Sequence, residues 1–245
     1  MTTTWWPYLR IAAAVLAVAA IVAQLIRSLE IAGAATTEWG AHLPTVIANF
    51  FSFFTIESNV LAAIALACGG IWGLARRSTT TAEPRWLAIL LMCASTYMIV
   101  TGVVYNLLLR GIELPQGSTV GWSNEVLHVV IPIIMLADVL FAPRRRALGW
   151  GAVGIAAIFP IVWVIYTLIR ANLVIAPATG KPYWYPYPFL EPTQPGGYGA
   201  VALYVLLIAA IIIGAAALVV WVGRRRATVS DSTADATVPP ADLAL

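Results

Sequence analysis

Six long apolar segments decide what this 245-residue chain folds into. A helix rises about 1.5 Å per residue, so roughly 20 apolar residues are needed to cross the hydrocarbon core of a bilayer. Backbone polar groups in that layer must pair internally, which makes such segments helical. The sequence therefore predicts an all-α, polytopic membrane protein, a bundle of six transmembrane helices. The predicted spans are about 9–29, 46–74, 86–109, 122–141, 150–169 and 199–222.

Composition supports this fold class and excludes several functions. Hydrophobic residues make up 61% of the chain and charged residues 10%, whereas soluble domains carry about 25% charged residues. The net charge of +3 is small, and the arginines lie in short clusters rather than along a soluble face, so a nucleic-acid partner is not expected. Cys68 and Cys93 lie in apolar runs without ligand spacing, so neither a disulfide framework nor a zinc site is predicted. The oligomeric state stays open.

The distribution of basic residues predicts the orientation. In a six-span topology ten of the 14 basic residues fall on one side and four on the other. Because arginine and lysine are enriched in cytoplasmic loops, both termini are predicted to be cytoplasmic, in the cell membrane. Residues 1–226 form the predicted transmembrane domain, and residues 227–245 read as a disordered cytoplasmic tail. The ten are Arg10, Arg76, Arg77, Arg85, Arg144, Arg145, Arg146, Arg224, Arg225 and Arg226; the four are Arg27, Arg110, Arg170 and Lys181.

The first apolar segment has two interpretations. Small residues at 32–34 resemble the cleavage site of a signal peptide. Arg27 and Glu30 lie between the apolar run and that site, where signal peptides seldom carry charge, so a retained helix is favoured.

Polar side chains gather in the outer half of the predicted bundle. The second segment is about 29 residues long, so it is expected to tilt or to project past the membrane. It carries Thr55, about 15 Å into the predicted helix, together with Glu57 and Asn59. Ionisable and polar groups inside a span are costly and mark functional sites by default. The third and fourth spans add Tyr105, Asn106, Asn124 and His128.

Each of these residues also has a structural interpretation. A threonine within a helix usually donates to the carbonyl four residues back, and a lone histidine often joins two spans by a hydrogen bond. Glu57 must be paired or protonated at this depth, with Arg110 or Arg170 as the expected partner. Asp138 near the inner end is expected to pair with the arginines at 144–146.

An aromatic, proline-rich tract precedes the last span. Its prolines exclude a regular helix, and aromatic rings favour the headgroup layer. It is therefore either an interfacial anchor or a lid over an outer cavity, with Trp184, Tyr185, Tyr187 and Phe189 as the candidate lid residues.

Three landmarks combine into a resemblance that covers spans two to six: FFTIESN in span two, NEVLH in span four and YPFLE before span six. Together they resemble the androgen-induced protein family, which includes the androgen-dependent tissue-factor-pathway-inhibitor-regulating protein, and the six-span bacterial membrane proteins related to it. The resemblance implies an intramembrane threonine hydrolase that cleaves fatty acid esters of hydroxy fatty acids. By position it assigns catalysis to Thr55 and His128. Glu57, Ser58 and Asn59 lie outside the family pattern, and a bacterial member is free to act on a different lipid.

The implied chemistry is coherent and requires no metal or organic cofactor. A neutral imidazole takes the proton of a threonine hydroxyl as it attacks an ester carbonyl. The oxyanion needs donors, for which Asn59, Asn106, Asn124 and Tyr105 are equal candidates. The expected partner is a membrane lipid or another acyl-chain substrate that enters laterally.

Two other functions remain open. A proton-coupled or small-solute transporter would use Glu57, Asn59 and His128 as a relay, although the chain shows no repeated halves. A noncatalytic membrane scaffold would use the same polar groups only for folding.

Overall fold

The computed structural model describes residues 5–111 and 118–235, and in this part of the chain it confirms the all-α fold. Six of the described helical segments are long and apolar enough to cross a membrane. The first two spans are α1 (Trp6–Gly33) and α4 (Phe54–Ala75). The third is the segment Arg85–Leu109, which contains α5 (Arg85–Val104), and the fourth is the segment Gly121–Phe141, which contains α6 (Gly121–Glu125) and α7 (Ile131–Phe141). The fifth is α8 (Gly151–Ala171), and the sixth is the part Gly197–Ala227 of α9 (Gly197–Asp235). The short helices α2 (Glu38–Ala41) and α3 (Leu43–Phe51) lie between α1 and α4.

Small residues let α1 and α4 approach closely. Ala17 and Ala20 of α1 are fully buried. Opposite them, a Cβ atom added to Gly70 would lie 2.6 Å from Ile11 Cγ1 and 2.9 Å from the Pro7 carbonyl oxygen. Apolar side chains gain little by leaving lipid for a protein interface, so close backbone contact of this kind is a main source of packing energy between spans.

The second span begins later than predicted, because the apolar run 46–74 is broken. Ser52 and Phe53 separate α3 from α4, and Phe53 has an extended backbone (φ −72°, ψ 124°). The Ser52 carbonyl, freed at the break, accepts a hydrogen bond from Trp163 Nε1 of α8 (3.0 Å). With nine residues α3 is too short to span, so the prediction of one 29-residue helix is wrong. Thr55 is consequently the second residue of α4 rather than a mid-helix residue.

Spans three and four each contain one turn of π-helix, at Tyr105–Leu109 and Val126–Val130. In these turns an N–H donates to the carbonyl five residues back, as Arg110 does to Tyr105 and Ile131 does to Val126. Turns of this kind recur at functional sites, and both lie toward the same end of the bundle as Thr55.

The opposite end of the bundle is held by buried charges. Asp138 pairs with Arg145, as predicted, and also with Arg10 of α1. Trp6 donates to the same carboxylate, and Glu83 of the connection before α5 completes the cluster. The first span is thereby tied to the fourth by an ion pair as well as by packing.

The last helix is longer than predicted. Disorder was predicted from Ala227, whereas α9 continues to Asp235, since a helix already stabilised by its membrane part extends into the following turns at little cost. Residues 236–245 of the predicted tail lie outside the described residues.

Candidate functional site

An apolar cavity of about 150 Å³ lies between spans three, five and six. Thr55 is one of the residues that line it. Ile161 of α8 and Ile213 of α9 also line it and are 54% and 50% exposed, so the cavity borders the lipid-facing surface between these two spans. Its lining also includes Phe54, Thr101, Tyr105, Trp163, Tyr187, Phe189 and Leu190.

Thr55 lies in the first turn of α4, where backbone N–H groups have no partner within the helix. Its N–H donates to the hydroxyl oxygen of Tyr187 (3.2 Å), and its own hydroxyl lies 3.3 Å from the same oxygen. Thr55 is only 8% exposed. The candidate nucleophile is therefore held at a helix N-terminus by a tyrosine from the loop before the last span.

Tyr187 keeps its proton at this position. Burial is the largest influence on the phenol and raises its pKa above the usual value, against the opposing effect of its hydrogen bonds with Thr55. A neutral phenol at a helix N-terminus has one proton to donate and an oxygen that accepts from the backbone.

The proline-rich loop places part of the predicted lid in the cavity wall. Tyr187 stacks on Phe189 (ring centroids 5.2 Å apart, planes within 4°), and Leu190 is 1% exposed. Trp184 packs instead against Phe53 at the helix break, and its ring lies beneath the Arg170 guanidinium. Tyr185 contacts the ring of Tyr183. Of the four predicted lid residues, Tyr187 and Phe189 line the cavity, whereas Trp184 and Tyr185 do not.

His128 lies in the π-helical turn of span four. Its Nδ1 is 2.9 Å from the Asn124 carbonyl oxygen, which can only accept, so in a neutral ring Nδ1 carries the hydrogen and Nε2 is the acceptor. The imidazole stacks face to face on Tyr105, with centroids 3.8 Å apart. Tyr105 in turn lines the cavity.

The structure brings Thr55 and His128 into the same region without a direct contact. Among the described hydrogen bonds of the Thr55 hydroxyl, the partner is Tyr187 and not His128. The link between the two helices is Asn59, whose Nδ2 donates to the carbonyls of Thr55 (2.9 Å) and Leu127 (3.1 Å). The same nitrogen donates in both bonds, so the carbonyl oxygens of Thr55 and Leu127 lie within about 6 Å of each other.

The amides proposed as oxyanion donors are engaged elsewhere. Both hydrogens of the Asn59 amide are used by backbone carbonyls. The Asn106 amide donates to the carbonyls of Gly102 and His128, and the Asn124 amide donates to the Tyr105 hydroxyl. The Tyr105 hydroxyl is the acceptor in that bond.

Glu57 does not have the partner that was predicted for it. Arg110 pairs with Glu125 (2.8 Å), and Arg170 lies over Trp184. One carboxyl oxygen of Glu57 is buried with no hydrogen-bond partner among the described residues.

Sequence reasoning placed Tyr187 in a lid and missed its contact with Thr55. The sequence feature that points to Tyr187 is its position between Pro186 and Pro188. Prolines restrict the backbone of a loop and can hold the side chain between them in one direction. The partner of that side chain depends on the helix break, which the sequence pattern did not reveal.

Comparison of the chain with protein-family models, with curated proteins and with solved structures finds no match. The resemblance to the androgen-induced protein family therefore stays a hypothesis, and the case for a function depends on the geometry of the site.

Proposed function

We propose that the protein is an intramembrane lipid ester hydrolase with Thr55 as nucleophile and His128 as general base. The observation that carries this proposal is a threonine in the lining of an apolar cavity that borders the lipid-facing surface, with its hydroxyl 3.3 Å from the hydroxyl of Tyr187, another lining residue. An acyl chain occupies such a cavity without loss of its hydrophobic environment, and its ester group then lies beside Thr55 and Tyr187. The substrate is a membrane lipid or another acyl-chain ester that enters between spans five and six.

In the proposed reaction the Thr55 oxygen attacks the ester carbonyl carbon while its proton passes to Nε2 of His128. The tetrahedral intermediate then expels the alcohol part, which takes the proton back from the imidazolium. Water hydrolyses the acyl-threonine in a second round with the same base. The Tyr105 ring lies against the imidazole and lines the cavity, so the proposed proton transfer requires Tyr105 to move aside.

The oxyanion donors in this proposal are the Thr55 N–H and the Tyr187 hydroxyl, rather than the amides first considered. Donors at about 2.7–3.1 Å from the developing oxyanion account for a large part of such catalysis. Tyr187 fits this role because burial raises its pKa, which keeps a proton available for donation. Its present bond with the Thr55 N–H marks the place that the substrate oxygen would take.

We also infer that both termini face the cytoplasm of the cell, which places Thr55 in the outer half of the membrane. The support is the arginine excess on one side of the six spans. A C-terminal fusion to a reporter that is active only in the cytoplasm tests this orientation.

The hydrolase proposal is tested with purified protein in nanodiscs, long-chain fluorogenic esters and an active-site acylating probe. Thr55→Ala and His128→Gln should each lower ester turnover at least about 100-fold, the scale of a lost nucleophile or general base. Thr55→Ser keeps a hydroxyl and should retain measurable activity.

Two matched controls come from the chain itself. Thr167→Ala removes another buried span threonine, and His42→Gln removes the second histidine, which lies exposed before α3. Both variants should keep wild-type turnover. Equal activity in wild type, Thr55→Ala and His128→Gln would show that the assignment is wrong.

A second candidate, proton-coupled transport, is favoured by a different observation. The apolar run that leads into the second span is broken at Ser52–Phe53, and one turn beyond the break a carboxyl oxygen of Glu57 has no hydrogen-bond partner among the described residues. Broken spans with ionisable groups form binding sites in transporters. Proton-dependent uptake into proteoliposomes that disappears in Glu57→Gln, with no ester turnover, would select this function instead.

A further inference from the structure

The π-helical turn that carries His128 leaves backbone carbonyls without helical donors. In a regular α-helix the Leu127 carbonyl would accept from the N–H of Ile131, but that N–H donates to Val126. The next donor along the chain would be residue 132, which is proline and has no N–H. The same proline is the residue that would donate to the His128 carbonyl.

Side chains from two other spans supply the missing donors. Asn59 of span two donates to the Leu127 carbonyl at 3.1 Å, and Asn106 of span three donates to the His128 carbonyl at 3.3 Å. Each amide also donates to the carbonyl four residues back in its own helix, Thr55 and Gly102 respectively. Both asparagines are therefore fixed to their own helix and to the turn of span four at once.

Asn59 differs from Asn106 in what its own helix carries. Its side chain is fully buried, and the carbonyl that it shares in its own helix is that of Thr55. The amide thus joins the turn that bears the proposed nucleophile to the residue that directly precedes the proposed base.

We propose that Asn59 is a positioning residue that sets the separation between Thr55 and His128, and that Pro132 creates the carbonyl it binds. This inference rests on the proposed hydrolase function for its catalytic consequence, but the placement of His128 by Asn59 is measurable without any activity. Removing the amide leaves the Leu127 carbonyl without a donor inside the membrane. The π-helical turn must then rearrange, and the imidazole moves relative to α4.

The structural measurement uses the fact that the chain has only two histidines. In a His42→Gln background, ¹³C-labelled histidine reports His128 alone, in protein held in nanodiscs. Asn59→Leu, which keeps the buried volume, should move or split the His128 ring resonance. Pro132→Ala, which restores a backbone N–H, should move the same resonance, and it serves as the second variant if Asn59→Leu does not fold.

The matched control is Tyr97→Phe. It also removes a buried side-chain hydrogen bond between spans, since Tyr97 donates to the Ala156 carbonyl at 2.9 Å. If Asn59 only joins helices, Tyr97→Phe and Asn59→Leu should behave alike. We expect instead that Tyr97→Phe leaves the His128 resonance in place.

Catalysis gives the second measurement. A displacement of about 1 Å between reacting groups costs on the order of 100-fold in rate, so Asn59→Leu should lower kcat at least about tenfold with little change in KM. Tyr97→Phe should keep wild-type kcat. A moved resonance supports the positioning role even if Thr55→Ala proves active, in which case only the hydrolase proposal fails. An unmoved His128 resonance in both Asn59→Leu and Pro132→Ala overturns the inference.

Discussion

Replacement of Asp138 by asparagine tests how the end of the bundle opposite Thr55 is held. The carboxylate is 1% exposed and accepts four hydrogen bonds. One oxygen accepts from Trp6 Nε1 (2.8 Å) and Arg10 Nε (2.7 Å), and the other accepts from Arg10 Nη2 (3.0 Å) and Arg145 Nη1 (2.9 Å). The asparagine side chain would keep one accepting oxygen and present an NH₂ group to the remaining two donors.

The expected loss follows from these contacts. Two charge-assisted hydrogen bonds, each worth about 1.5–3 kcal/mol, are removed, and the buried Arg10 charge loses its main counter-ion. Breaking a buried pair by removing one partner typically costs about 3–5 kcal/mol, which agrees with that sum. Asp138→Asn should therefore destabilise the protein by about 3–5 kcal/mol. An exposed pair offers the matched control: Arg110 and Glu125 are about half exposed, so Glu125→Gln should cost less than about 1 kcal/mol.

Reversible unfolding in mixed micelles gives the free energy of unfolding for each variant. The double variant Arg10→Leu/Asp138→Leu removes the pair together and should cost less than the sum of the two single changes, because neither charge is left buried alone. If Asp138→Asn and Glu125→Gln cost the same, or if the double variant is simply additive, the Asp138 carboxylate does not hold this end of the bundle in the way described.

Two further predictions concern the site and the packing of α1 on α4. Burial raises the pKa of Tyr187 in the folded protein, so at high pH the unfolded chain loses the phenol proton first. The contribution of Tyr187 to the free energy of unfolding is therefore complete below pH of about 10 and declines as the pH rises further. The stability difference between wild type and Tyr187→Phe should therefore shrink above pH of about 10, and parallel unfolding curves would contradict this. Gly70→Ala places a Cβ 2.6 Å from Ile11 and 2.9 Å from the Pro7 carbonyl, so it should cost about 1–3 kcal/mol in the same unfolding assay. Gly33→Ala, which meets nothing within 4 Å, should cost nothing, and an equal loss in both variants would refute the close contact.

The spans could be predicted from the sequence because their cause is local. Length and hydropathy alone decide whether a segment crosses the bilayer, and all six predicted spans have a counterpart among the helices of the structure. The pairing of Asp138 with Arg145 could also be predicted, since the two residues lie seven positions apart near one helix end. The contact of Arg10 with Asp138 could not be predicted, because it joins residues 128 positions apart.

The irregular backbone of the site could not be predicted in this way. The break after Ser52 lies in a run of phenylalanines with no proline or glycine, and its freed carbonyl is stabilised by Trp163, 111 residues away. Pro132 was visible as a proline inside a span, but the π-helical turn before it depends on donors from Asn59 and Asn106. Local patterns predict regular helices; a departure from them depends on which side chains other helices provide.

That dependence also explains where the site lies. Irregular backbone is tolerated inside a membrane only where protein groups satisfy the hydrogen bonds that a helix would have made. Here Trp163 and Tyr187 provide hydrogen-bond partners at the break before span two, and Asn59 provides a donor at the π-helical turn in span four. Trp163 and Tyr187 line the cavity and Asn59 binds the Thr55 carbonyl, whereas the opposite end combines regular helices with paired charges. Regular helices with paired charges are enough to make a fold stable. The concentration of compensated irregular backbone around Thr55 is therefore the physical reason to look for the function of the protein there.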